Sequence, residues 1–138
     1  LKFWTGWQAW LQAKGSGLRP QKPLPQHWTN IALGRSGIHL GATVNSRESR
    51  VGMEVYIDHA NSKAIFKQLQ VRQAAIDAAL GAKLEWMELP DGHACRILHV
   101  RADSPLEDES QWPTYFAWLE HAALRMSEIF RPLIKDLN

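Results

Sequence analysis

The sequence predicts an α+β fold: a single, mostly antiparallel sheet of about five strands with helices packed on one face. Three observations carry this. Residues 38–45 and 51–58 alternate apolar and polar side chains with period two and are joined by a short polar link. Apolar stripes at helical spacing stand at both ends of the chain. The strands come in hairpin runs rather than one by one between helices, which argues against a doubly wound parallel sheet.

The elements follow in the order α-β-β-β-α-β-β-α. Leu1 to Lys14 reads as a helix, with Phe3, Trp7, Trp10 and Leu11 at helical spacing and Gly15-Ser16-Gly17 to end it. Residues 18–27 hold Pro20, Pro23 and Pro25, which exclude a helix or a central strand and predict an extended loop. Trp28–Leu33 is the first strand, closed by the turn signal Gly34-Arg35-Ser36-Gly37. Ile38–Asn45 and Val51–Asp58 form a hairpin. Asn61–Leu80 reads as one helix, capped by Asn61 or Ser62 and stopped by Gly81. Lys83–Leu89 and Ala94–Arg101 predict a second hairpin around Pro90-Asp91-Gly92. Asp103–Glu109 is an acidic loop. Pro113 opens a last helix whose stripe runs from Tyr115 to Leu133, with Pro132 expected to end or kink it.

The chain has 138 residues, the length of one domain, so residues 1–138 are read as a single α+β domain. Hydrophobic residues at 45% and charged residues at 22% match a globular chain and argue against disorder. No apolar run is long enough to span a bilayer and no signal peptide is visible, so no membrane partner is expected. The single cysteine, Cys95, excludes an internal disulfide framework and fits a reducing, cytoplasmic setting. A first residue that is Leu, not Met, suggests a piece of a longer protein. The net charge of +2 hides a split. Residues 1–50 carry seven basic residues against Glu48 alone, a charge of +6, and the remainder carries −4. Such a split suggests either a surface facing a polyanion or a polarised self-association.

Arg19–Trp28 (RPxKPxPxHW), Gly34–Leu40 (GRSGIHL), Val44–Arg47 (VNxR), Arg50–Ile57 (RVGMEVYI), Leu84–Pro90 (LEWMELP) and Trp112-Pro113 together resemble domain of unknown function 4268. The resemblance spans nearly the whole chain. It implies a prokaryotic protein in which this domain commonly follows a region like a PD-(D/E)xK nuclease. That implies a setting of nucleic-acid processing or defence, with an upstream nuclease-like domain in the same chain as partner. It supplies no catalytic residues.

Pro90-Asp91 matches the opening of such a nuclease site, but no acid-x-Lys follows, and a hairpin turn explains the pair better. His39, Thr43, Glu54, Tyr56 and Asp58 share the polar face of the Ile38–Asp58 hairpin, with Gly41 and Gly52 among them. A His, two carboxylates and a Tyr on one face can do acid–base work, or can be a solvated outer face. No nucleophile pairs obviously with His39, so the domain is read first as non-catalytic, and an enzyme using His39, Glu54, Tyr56 and Asp58 is kept as a third, less favoured reading. None of the six histidines has helical zinc-site spacing, and neither a metal nor another cofactor is expected.

Arg19, Lys22, Arg35, Arg47 and Arg50 fall in or beside loops that flank the first half of the sheet, where arginine forks suit phosphates, and Trp28 can stack a base. The leading expectation is therefore an accessory module that binds the backbone of DNA or RNA and positions a partner domain. The rival is an assembly domain that docks or dimerises through Trp4, Trp7, Trp10, Trp112 and Trp118.

Overall fold

The computed structural model describes residues 1–89 and 92–137. Five strands, β1 (Trp28–Arg35), β2 (Ile38–Asn45), β3 (Arg50–Ile57), β4 (Glu85–Met87) and β5 (Cys95–Arg101), form one sheet in the order β1-β2-β3-β5-β4. Every neighbouring pair is antiparallel. Helices α1 (Lys2–Lys14), α2 (Ser62–Gln70), α3 (Gln73–Leu80) and α4 (Trp112–Lys135) complete an α+β fold in the expected order.

One sheet face is apolar and covered. Leu40 faces Val55 across β2 and β3, and Val55 faces Ile97 across β3 and β5, while Ala42 and Met53 make the next row. All five are fully buried in one cluster with Leu119, Ala123, Met126 and Phe130 of α4 and Ile65, Phe66 and Leu69 of α2. The period-two alternation of the strands meets the period-3.6 stripe of the helices, and the core lies between them. Helix α1 packs on α4 and contributes Trp4 and Trp7. Each buried indole finds an acceptor: Trp7 Nε1 donates to Phe116 O at 3.2 Å and Trp4 Nε1 to Gln26 O at 2.8 Å.

The second of these bonds fixes the proline loop beside β1, an edge strand. The loop and α4 then occupy the carbonyls of that edge: Gln26 donates to Trp28 O, the Gln21 amide to Asn30 O and Arg131 to Ala32 O, all within 3.1 Å. This blunts an edge that would otherwise invite pairing with another chain.

Several elements depart from the sequence expectation. The 61–80 segment is two helices, broken at Val71 and Arg72. The inward stripe set by Ile65 and Leu69 meets no apolar residue until Ile76, and the break turns the chain from the sheet, where α2 packs, to α4, where α3 packs. Strand β4 keeps only Glu85–Met87 of the expected Lys83–Leu89. The predicted turn residues Pro90 and Asp91 lie outside the described residues. Strand β1 runs on through Gly34, whose φ of 87° accompanies a register shift before Arg35. Pro132 does not end α4, which continues to Lys135. Its ring sits on the exposed side, and buried Phe130 and Ile134 hold the last turn on either side of it. Arg35 donates to Ile134 O at 3.1 Å and ties that turn to the end of β1.

Candidate functional site

The other sheet face is open. Among the described residues no helix packs over it, and its centre is a groove of about 480 Å³. Two positions on this face have no side chain, and in each the neighbouring side chains close over the backbone. Gly41 pairs with Glu54 across β2 and β3, and Gly52 pairs with Thr43. A Cβ at Gly52 would stand 2.7 Å from Thr43 Oγ1 and 3.0 Å from Leu98 Cδ1; one at Gly41 would stand 3.3 Å from Glu54 Oε1. Gly52 lies in the groove floor, while Gly41 is buried beneath the Glu54 side chain.

Trp28 stands at the β1 side with 46% of its surface exposed, beside His27. Tyr56 and His39 form a second aromatic wall, their rings 5.3 Å apart and tilted by 33°. Burial lowers the His39 pKa, opposed by the charge of Asp58, so the imidazole is held toward its neutral form. Glu54 is buried in the floor and receives a hydrogen bond from Arg96 Nε. Burial raises the Glu54 pKa, while the hydrogen bond and charge of Arg96 pull it down. Arg50 borders the groove at the β2–β3 turn, held by Glu48 at 3.0 Å and Glu85 at 3.6 Å.

The sequence-level candidates divide accordingly. His39, Thr43, Glu54, Tyr56, Trp28 and Arg50 all line this one groove. Asp58 does not: β3 ends at Ile57, and Asp58 is exposed beyond it, 3.9 Å from His93 Nε2. Among the described residues no hydrogen bond joins His39, Tyr56 and Glu54 to one another, so the face lacks an assembled acid–base pair. The basic loops do not converge. Arg47 lies in the exposed β2–β3 turn, while Arg35 sits at the opposite end of eight-residue strands and is engaged with α4. Arg19 donates to Ser16 O and Leu18 O in its own loop, and Lys22 is exposed in the proline loop. The tryptophans of the terminal helices turn inward: Trp4 and Trp7 are buried, and Trp10, Trp112 and Trp118 pack against the core.

Sequence reasoning missed Arg96, Leu98 and Asn30 on the groove wall. Arg96 alternates with buried Cys95 and Ile97 along β5, which is the signal that could have placed it on the open face. Its pairing beside β3 is a long-range fact no local pattern carries. Among the described residues no group of three or more His, Cys, Asp or Glu side chains is placed to hold a metal ion. No described helix is long and apolar enough to cross a membrane.

The fold and site define an α+β domain whose sheet is sealed on one face and grooved on the other. The chain belongs to the family described as a domain of unknown function (DUF4268), whose model matches residues 1–134. No curated protein matches its sequence.

Proposed function

We propose that this domain is a non-catalytic binding module that takes single-stranded nucleic acid across its open sheet face. In this role it serves as the accessory part of a prokaryotic, nuclease-associated protein and positions a partner catalytic domain. The observation that supports it is the groove itself: a half-exposed Trp28 at its edge, Gly52 in its floor, and Arg50 at one end, next to the exposed turn that carries Arg47. Aromatic rings beside a flat floor accept the π-face of any base, and arginines at the end of the track meet phosphates. The basic set favoured by this geometry is Arg50, which lines the groove, and Arg47 in the adjoining turn; Arg19, Lys22 and Arg35 do not line it.

The test is fluorescence anisotropy of labelled single and double strands, DNA and RNA, titrated with the domain at several salt concentrations. Single strands are expected to bind, with affinity falling steeply as salt rises, and Arg47→Ala is expected to reduce the salt slope by about 1. Absence of binding at low salt, up to tens of micromolar protein or about the range of non-specific contacts, overturns the proposal. Dimerisation or docking through the terminal helices has less surface than the sequence promised, because their tryptophans pack within the domain.

A further inference from the structure

A carboxylate in the floor of an otherwise open face needs a reason. Glu54 is 6% exposed, and a leucine there would pack without the cost of desolvating a charge. Its partner does not exhaust it. Arg96 gives Glu54 one donor, Nε, to one oxygen, Oε2. Among the described residues the two terminal nitrogens of Arg96 make no hydrogen bond, and Glu54 Oε1 accepts none. Both side chains line the groove. A guanidinium with its outer donors free therefore stands next to a carboxylate oxygen with its lone pairs free.

We infer that the Arg96–Glu54 pair is the base-reading element of the groove and that it selects guanine. This rests on the proposal that a single strand lies across the open face. The pair offers donors beside an acceptor, so its complement must offer acceptors beside donors. Guanine has O6 and N7 for the arginine fork, and N1–H and the N2 amine for the carboxylate. Adenine and cytosine each have one amine and ring-nitrogen or carbonyl acceptors. Thymine and uracil have one N–H between two carbonyls. Guanine alone presents two acceptors and two donors along neighbouring edges.

The surroundings suit a planar ring. Gly41 lies directly across from Glu54 and leaves room for its carboxylate, and Gly52, two residues along β3 from Glu54, lines the groove. Tyr56 is the β3 residue directly across from Arg96, and its ring, with that of His39, borders the same space. A base set on the floor meets an aromatic wall and the charged pair together.

The experiment titrates the domain into labelled thymidine strands of about ten nucleotides, within the usual site size of a single-strand binder. In three of them one central thymidine is replaced by guanine, adenine or cytosine. The guanine strand is expected to bind about tenfold tighter than the others, the discrimination of one good bidentate contact. That ratio is expected to fall to about one in Arg96→Gln and in Glu54→Gln. Arg96 is half-exposed, so its variant keeps the test alive if Glu54→Gln does not fold, as melting followed by circular dichroism will report. Equal affinity for all four strands overturns the inference and leaves the proposed function standing. A preference for adenine or cytosine, or a guanine preference that survives both substitutions, also overturns it. Binding of none of the strands removes the proposed function and the inference with it.

Discussion

Alternate residues of the same strands make the two faces of this sheet, and the two faces obey different rules. Along β3, Val51, Met53, Val55 and Ile57 point to the helices and are buried; Arg50, Gly52, Glu54 and Tyr56 point the other way. On the covered face most choices favour folding: large apolar side chains, close packing, and indole N–H groups that find carbonyls. On the open face the choices cost stability. Two glycines weaken the strands, a carboxylate loses water, and a tryptophan stays half in solvent. A chain selected only to fold would not concentrate such positions around one groove. The contrast sets apart the open face as the one where local rules are broken together, which is why the proposed function is placed there.

The comparison breaks first on the covered side. Leu40→Ala removes a fully buried side chain between β1, β3 and α4, and is expected to cost about 2–5 kcal/mol, read as a lower melting temperature. A loss below 1 kcal/mol would mean that this face does not hold the fold. Gly52→Ala on the open side is the next largest. Its Cβ would meet Thr43 Oγ1, Leu98 Cδ1 and the His99 carbonyl, and the last, being backbone, cannot turn aside. The expected cost is about 1–3 kcal/mol, together with a shallower groove and weaker strand binding. Thr29 is an exception within the covered face. Its hydroxyl is buried with no hydrogen-bond partner among the described residues. Thr29→Val keeps the shape and is expected to raise stability by up to about 1 kcal/mol. A drop in melting temperature would show that the hydroxyl has a partner.

Acid distinguishes the faces less sharply, because each holds one perturbed histidine. His99 projects from β5 toward α4, its ring 4.8 Å from that of Trp118. Burial lowers its pKa, and the neighbouring His121 lowers it further. His39, on the open face, is lowered by burial against the pull of Asp58. A histidine whose folded pKa lies below its unfolded value binds protons more readily when unfolded. Its stabilisation is complete above the ordinary value of 6.5 and is lost as pH falls through the lowered value. Melting temperature is therefore expected to fall as pH drops below 6.5, with a gentler fall in His99→Gln. A flat profile between pH 7 and 5, or about the range in which histidines titrate, would contradict both assignments.

What the sequence disclosed follows from the range over which each signal acts. The β2–β3 hairpin is a local pattern: its alternation placed His39, Thr43, Glu54 and Tyr56 on one face and set both glycines among them. Asp58 obeyed the same alternation but lies one residue past the strand's end, a boundary that alternation does not mark. Arg96 and Asn30 reach the groove through β5 and β1, whose places in the sheet depend on pairing across long stretches of chain. Charge was the least informative guide. Arg35 and Arg47 belong to the same basic half of the sequence, yet the hairpin that joins them carries them to opposite ends of the sheet. The helix break at Val71 has no glycine or proline to announce it, and Pro132 suggested a stop that packing on the core overrode.

Trp28→Ala is expected to change stability least and to be the sharpest test of the contrast. The side chain is nearly half exposed, so its removal takes little packing with it, and the melting temperature is expected to shift by no more than about 0.5 kcal/mol warrants. Under the proposed function the same substitution removes a stacking platform at the groove edge, worth about 1–3 kcal/mol per base, or roughly a five- to 150-fold loss of single-strand affinity. Leu40→Ala reverses the ratio: a large loss of stability and, below its melting temperature, no direct loss of a ligand contact. Measured side by side, the two variants separate a face that holds the domain together from a face that holds something else. If Trp28→Ala instead lowered stability as Leu40→Ala does and left affinity unchanged, the open face would be a second structural face and the groove a consequence of packing.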